Sequence, residues 1–255
     1  MNSKILQCFI VVIFLCASLC GYGQGKVTRP TNQQSRTSNH KTSRNVTISE
    51  PDGYINGHGY VDLGLPSGVK WATSNIGGSN PCDNGNYYAW SETATKSVYS
   101  ENNSQTHGKS LSELYSDDII DSSGNLTIRH DAASANWGAN WRMPRKNEFD
   151  EIINLCKCKW VSYNEKNGIL VIGPNNKSIF FPAGGNCYEC LGKPYNNNLN
   201  QQCYYWSAGY FEHSDGSGFS AHYFGGYGGP STIEISCDYV GIEFYGLSVR
   251  PVSDY

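Results

Sequence analysis

Residues 131–144, Asp131-Ala-Ala-Ser-Ala-Asn-Trp-Gly-Ala-Asn-Trp-Arg-Met-Pro144, run directly into Arg145-Lys-Asn-Glu-Phe-Asp-Glu-Ile-Ile-Asn-Leu-Cys156. Phe149, Ile152, Ile153 and Cys156 stand at i, i+3, i+4 and i+7, the stripe of an amphipathic helix. Pro144 suits the entrance to such a helix, and Glu148, Asp150 and Glu151 place negative charge in the half that the helix dipole favours. The spacing predicts a helix over 145–156 and a shorter, alanine-rich one from Arg129 to about Asn136. Most of the rest reads as short strands punctuated by Gly, Asn, Ser and Pro. These are Tyr60–Leu63, Val69–Thr73, Tyr87–Trp90, Ile169–Ile172, Ser178–Phe181, Tyr204–Ala208, Phe219–Phe224, Gly241–Phe244 and Leu247–Val252. Two helices early and hairpins late predict one α+β domain with antiparallel sheet over 57–255.

Composition narrows the classes. The 255 residues are 38 % hydrophobic and 13 % aromatic but only 16 % charged, where globular domains carry about 25 % charge. Aromatics at that level fill a core and exclude wholesale disorder. A formal net charge of −3 argues against a nucleic-acid-binding surface. Beyond the N-terminus no apolar run approaches the ~20 residues of a membrane span.

The N-terminus itself reads as an address. In residues 1–23, MNSKILQCFIVVIFLCASLCGYG, Lys4 precedes an apolar block, and Gly21 and Gly23 sit two apart, the layout of a signal peptide cleaved after Gly23. A lipid anchor at Cys16 or Cys20 is the rival, although Leu15 and Leu19 stand where a small residue is wanted. Export to the medium or the outer cell surface is the expectation. Residues 24–56 are polar and aperiodic and read as a flexible linker. Lys26, Arg29, Arg36, Lys41 and Arg44 outnumber Glu50 and Asp52 there, so the remaining domain is more acidic than the whole chain.

Export also sets the reading of the cysteines. Cys8, Cys16 and Cys20 leave with the signal, and Cys82, Cys156, Cys158, Cys187, Cys190, Cys203 and Cys237 become disulfide candidates. An odd number leaves at least one unpaired. Cys156, Cys158, Cys187 and Cys190 also carry a spacing compatible with a thiolate zinc site, and Cys187-x-x-Cys190 that of a redox pair. No strand-then-helix pattern surrounds the latter.

Several strings are more distinctive than composition requires: Val61-Asp-Leu-Gly-Leu-Pro-Ser-Gly-Val-Lys-Trp-Ala-Thr73, Gly85-Asn-Tyr-Tyr-Ala-Trp-Ser-Glu-Thr93, the 131–144 stretch, Glu148-Phe-Asp-Glu-Ile152, Phe181-Pro-Ala-Gly-Gly185, Tyr204-Tyr-Trp-Ser207 and Ser248-Val-Arg-Pro-Val252. In this order they resemble the Fibrobacter succinogenes major paralogous domain, a family of exported bacterial domains. The Trp-Arg-Met-Pro, Glu-Phe and Val-Arg-Pro-Val strings are similar to a wider C-type-lectin-like group, which includes formylglycine-generating enzymes and an adhesin domain. The resemblance spans about 60–252. It implies a lectin-like α+β fold with N- and C-terminal strands paired, two helices packed on the sheet and long loops that present any ligand site. Ser74 stands where relatives often have Cys, and Cys82, Cys156 and Cys158 are extra, so disulfide patterns are not carried over.

Six tryptophans are present. Trp71, Trp90, Trp137, Trp141 and Trp206 lie in fold-defining strings and are expected in the core. Glu92, Arg142, Glu148 and Arg250 are expected as buried, satisfied charges, with Glu92–Arg142 or Glu92–Arg250 as a staple. Ligand chemistry is expected in two loops, 183–203 and 211–218. Tyr188, Tyr195, Asn196, Asn197 and Asn198 offer flat faces and amides that suit hydroxyl-rich ligands. Glu212, His213 and Asp215 could bind a hard cation such as calcium, which prefers carboxylate and carbonyl oxygens, although Asp-Gly and Ser-Gly are ordinary turn residues. No HExxH, GxSxG, phosphate-loop or EF-hand pattern is present, the histidines are scattered, and no resident cofactor is expected. The prediction is a secreted or surface-exposed, non-enzymatic module that binds glycan or protein. The alternatives are a structural component of a surface assembly and a cysteine-dependent enzyme of the formylglycine-generating type, for which Cys203 and Cys237 invite comparison.

Overall fold

The described chain begins and ends in the same sheet. The computed structural model describes residues 46–190, 193–213, 218–229 and 231–255, at 190 and 193–195 the backbone alone; the expected signal peptide and most of the linker lie outside them. Strands β1 (Gly53–Ile55), β2 (His58–Asp62), β3 (Lys70–Ala72) and β12 (Val252–Ser253) pair antiparallel in the order β1-β2-β3-β12. Asn56 and Gly57 take φ of 49° and 84° between β1 and β2, the Asn-Gly chemistry of a two-residue hairpin turn. The polar stretch expected as linker through 56 therefore joins the fold earlier. Ser49 N–H also donates to the Ser178 carbonyl at 3.3 Å, and the Ser178 hydroxyl to the Thr47 carbonyl at 3.2 Å.

Three helices follow: α1 (Leu111–Ser116), α2 (Ala132–Trp137) and α3 (Lys146–Leu155). Only the last two were legible. Helix α1 is a short amphipathic piece closed by a capping box between Ser110 and Glu113. Helix α2 starts on Asp131, whose carboxylate accepts from Ser134 N–H at 2.9 Å and from Met143 N–H at 2.7 Å. Helix α3 buries Phe149 and Ile152 from its stripe and leaves Ile153 and Cys156 partly covered. Phe149 stacks on Phe224 at 4.9 Å and tilts against Trp71 at 5.3 Å.

After α3 the named strands all pair antiparallel. β4 (Lys157–Tyr163), β5 (Lys166–Ile172) and β6 (Ser178–Pro182) form a meander. β7 (Asn186–Cys190) and β8 (Lys193–Asn197) form a hairpin. β9 (Gln202–Glu212), β10 (Phe219–Gly228) and β11 (Ile233–Gly241) form a further three-stranded sheet in the order β11-β10-β9. The fold is thus α+β, with antiparallel strands in several small sheets. Among the described residues no helix is long and apolar enough to cross a membrane.

Several strand expectations change. Tyr87–Trp90 makes only an isolated bridge, Tyr88 with Leu247. Gly241–Phe244 is the end of β11 followed by a turn, and of Leu247–Val252 only Val252 enters a named strand. The chain there satisfies its backbone in single bridges because it threads between sheets. The loop expected over 183–203 contains β7 and β8, and the excursion at 211–218 is the tip between β9 and β10.

Two aromatic-rich clusters make the core. One gathers Trp90, Trp137, Trp141 and Trp206 with Tyr88 and Leu114, and the other Trp71, Phe149, Phe181, Tyr205 and Phe224. The indoles mostly donate into distant backbone: Trp90 to the Ser207 carbonyl at 3.1 Å, Trp141 to Ile55 at 3.0 Å and Trp206 to Tyr88 at 2.8 Å. Burying these rings with their N–H groups bonded makes them scaffold. Trp71 Nε1 is enclosed without a partner, and the Trp137 indole, less fully buried, donates to none of the described residues.

Candidate functional site

Pro182 ends β6, and the chain must then turn sharply to start the β7–β8 hairpin. Gly185 does this at φ 63°, where an added Cβ would lie 2.1 Å from the Asn197 carbonyl oxygen, so no side chain fits. The hairpin pairs Asn186 with Asn197, Cys187 with Asn196 and Tyr188 with Tyr195. Its outer edge is tied to remote chain as well. Cys187 and Gly246 exchange two backbone bonds at 2.8 Å, and Glu189 N–H donates to the Tyr99 carbonyl at 2.7 Å.

That docking opens a cleft on each side of β7. The first, of about 390 Å³, is lined by Asn86, Tyr87, Thr95, Lys96, Ser97, Tyr99, Tyr188 and Asn196 among others. The second, of about 280 Å³, lies toward the β9–β10–β11 sheet and includes Asn186, Tyr188, Asn197, Asn198, Tyr204, Tyr223 and Tyr245. Tyr188 lines both, and its ring stacks on that of Tyr245 at 5.0 Å. Tyr188 is thus the wall shared by the two clefts, with Tyr245 stacked against it in the second.

Electrostatically the site is nearly neutral. Among the described lining residues of the first cleft the one charge is Lys96, pinned by Glu92 at 2.7 Å and by the Asn103 carbonyl at 2.7 Å. Among the described residues the second cleft has no charged lining residue. Burial raises the Tyr87, Tyr223 and Tyr245 phenols above their ordinary range and pushes Tyr99 up to about 12, so these rings stay neutral at physiological pH. Asn196 Nδ2 donates to Tyr87 Oη at 3.1 Å and Asn198 Nδ2 to Tyr204 Oη at 3.2 Å, while Tyr204 donates to Gln202 Oε1. Among the described residues no partner exists for the Asn197 amide or for the Tyr223 and Tyr245 hydroxyls, and none of the three is enclosed. Such groups exchange hydrogen bonds with a neutral, hydroxyl- or amide-bearing ligand.

The structure thus brings Tyr188, Asn196, Asn197 and Asn198 together. The Tyr195 side chain and Asp215 lie outside the described residues. Glu212 is elsewhere, in a third cleft of about 450 Å³ with Tyr115, Tyr210 and Phe211. His213 bonds the Ser220 hydroxyl at 2.9 Å. Tyr87, Tyr99, Tyr204, Tyr223 and Tyr245 were not read as site residues. Their one sequence signal is the abundance of tyrosine, 18 in all.

The expected staples are repartnered. Glu92 pairs with Lys96, one turn of sequence away, and with neither arginine. Arg142 instead grips Glu148 through Nη1 and Nη2 at 2.9 and 2.5 Å and Asp254 through Nε and Nη2 at 2.9 and 2.6 Å. Arg250, fully buried, has no carboxylate: it donates to Asn75 Oδ1, the Ala72 carbonyl and the Phe180 carbonyl at 2.7, 3.0 and 2.9 Å, and lies over the Phe181 ring.

The cysteines differ from expectation too. Cys82, Cys156, Cys158, Cys187, Cys203 and Cys237 are each unpaired, and the Cys190 side chain lies outside the described residues. Among the described residues Cys156, Cys158 and Cys187 do not converge as a zinc set; the one group with metal-ligand proximity is Asp150, Cys237 and Asp238. Lys146 already sits in that group, its Nζ 3.2 Å from Asp150, 2.8 Å from Asp238 and 3.8 Å from Cys237 Sγ. Burial pushes the thiols of Cys156 and Cys187 up to about 11 and those of Cys158 and Cys237 to about 12, and raises Cys203 as well. Cys237 donates to Asp150 at 2.7 Å and Cys203 to the Phe181 carbonyl at 3.4 Å. Thiols raised in this way are protonated, the opposite of an activated thiolate.

No protein-family pattern, curated protein or solved structure matches the chain.

Proposed function

We propose that the chain is an exported, non-enzymatic binding module of C-type-lectin-like architecture, whose glycan or protein ligand engages the clefts beside the β7–β8 hairpin. The likeness in the sequence strings supports the architecture, and so does the pairing of β1, β2 and β3 with the C-terminal β12. The observation that carries the reading is the pair of clefts sharing the Tyr188 wall, aromatic and amide-rich with its single charge neutralised internally. Pockets that combine apolar rings with a few polar groups are the usual form of a small-ligand site. The raised thiols favour binding over cysteine catalysis.

Immobilised mucin, intact and enzymatically deglycosylated, tests the reading by surface plasmon resonance. Saturable binding that falls when Tyr188→Ala is introduced into the folded chain is expected. Binding lost on deglycosylation identifies a glycan ligand, and binding retained identifies a protein one. No binding to either surface, or binding indifferent to Tyr188, refutes the assignment of the site.

A further inference from the structure

We propose that the two clefts act as one site for an uncharged oligosaccharide of at least two sugar units, lying across the Tyr188 wall with one ring on each side. This rests on the binding-module reading and narrows it to a ligand class. The shared wall is the first ground. Tyr188 lines both clefts, and Tyr245, stacked against it, lines the second. A ligand that fills both must pass Tyr188, and the flat, weakly polar face of a sugar ring matches an aromatic surface better than a charged or branched side chain does.

The distribution of uncommitted polar groups is the second ground. On the first side, the exposed Thr95 and Ser97 hydroxyls have no partner among the described residues, and Asn196 donates through Nδ2 to Tyr87, so its Oδ1 stays open. On the second side, the Asn197 amide and the Tyr223 and Tyr245 hydroxyls are open. Each side therefore offers donors and acceptors together, which is what vicinal hydroxyls require, since each hydroxyl both gives and takes a proton.

Charge supplies the third ground. An acidic sugar, a phosphate or an acidic peptide needs a free cation, and Lys96 is already neutralised by Glu92 and hydrogen-bonded to Asn103. A basic peptide needs a free carboxylate, and among the described residues neither cleft has an acidic lining residue.

A printed array of neutral, sialylated and sulfated glycans of one to six sugars, probed with the full chain, is the test. Neutral glycans of two or more units are expected to bind, with acidic versions no stronger and single sugars at least about tenfold weaker. Tyr188→Ala is expected to lose about tenfold or more, about what one ring contact contributes. Tyr188→Phe is expected to restore most of that loss, because the platform needs the ring and not its hydroxyl. Asn197→Ala and Thr95→Ala, on opposite sides of the wall, are each expected to weaken a disaccharide by a few-fold, which keeps the test open should Tyr188→Ala unfold. Hits confined to acidic glycans or to single sugars overturn the inference, as does full binding by a folded Tyr188→Ala chain. If no glycan binds while binding to deglycosylated mucin persists and depends on the hairpin, the ligand class fails and the binding-module reading stands. If nothing binds in either experiment, both fail.

Discussion

Arg142→Met asks how much of the fold's stability passes through one guanidinium. Arg142 connects three parts of the chain: the turn after α2, the first turn of α3 through Glu148, and the C-terminal segment through Asp254. Its own backbone exchanges two hydrogen bonds with Val252, at 3.0 and 2.9 Å. The two carboxylates are not equivalent, since the Glu148 side chain is 4 % exposed and that of Asp254 63 %. Removing the guanidinium strands Glu148 in the interior, where its remaining partner is the Arg145 N–H at 2.8 Å. Breaking a buried pair from one side costs about 3–5 kcal/mol. The retained N–H places this case at the lower end, about 3 kcal/mol. For a domain near 200 residues that lowers Tm by about 6–12 °C. Asp254→Asn removes a solvent-screened partner and should cost no more than about 1 kcal/mol. Arg142→Met combined with Glu148→Leu removes both buried charges and should recover much of the loss. Urea and thermal unfolding followed by circular dichroism measure all three. If Arg142→Met costs under about 1 kcal/mol, or no more than Asp254→Asn does, the assignment of a buried staple is wrong.

Other outcomes follow from the same physical chemistry. Asp131→Asn keeps only one of two acceptor oxygens and sets an N–H₂ against either Ser134 N–H or Met143 N–H, so a loss of about 1–3 kcal/mol is expected in urea unfolding; an unchanged midpoint would contradict the double cap. Arg250→Lys retains charge but cannot reach Asn75, Ala72 and Phe180 with one planar fork, so a fall in Tm comparable to that of Arg142→Met is expected, and a neutral outcome would show those bonds to be dispensable. Acid should weaken the fold. The Lys70 hydrogen bond lowers Asp62, the Asn80 N–H lowers Asp83, and Arg142 lowers Asp254. A carboxyl lowered on folding stabilises fully above its unfolded pKa of about 4 and loses that contribution as pH falls through its folded value. Asp131, raised by burial, works in the opposite direction. Unfolding free energy measured from pH 6 to pH 2 should therefore fall below about pH 4, and a flat or rising profile would refute this balance.

The helices show what was legible. Phe149 and Ile152 announced α3 because every turn of a helix returns to the same face, so a buried stripe is written into neighbouring residues. Asp131 and the alanines after it marked α2 in the same local way. Strands β4 and β11 escaped notice although both alternate, β4 with Lys157 and Lys159 outside and Cys158 and Trp160 partly covered. Charged and small polar residues there broke up the apolar run that marks a strand. The hairpin β7–β8 gave no periodic signal at all, since it is held by backbone bonds to Gly246 and Tyr99 rather than by an apolar face.

Local spacing therefore determined the α+β class and helices α2 and α3, while the distinctive strings marked the tryptophans as core and side-chain chemistry alone marked Tyr188, Asn196 and Asn197 as ligand candidates. Tertiary structure alone decided which charges meet. Glu92 took the nearby Lys96, Arg142 took Glu148 and the distant Asp254, and Arg250 was satisfied by carbonyls and an amide. It also decided that Tyr87, Tyr99, Tyr188 and Tyr245, far apart in the chain, line adjoining clefts. The reason is physical: periodicity encodes which face of an element is buried, whereas side-chain pairing and cleft shape depend on how separate elements dock, and no residue's immediate neighbours record that.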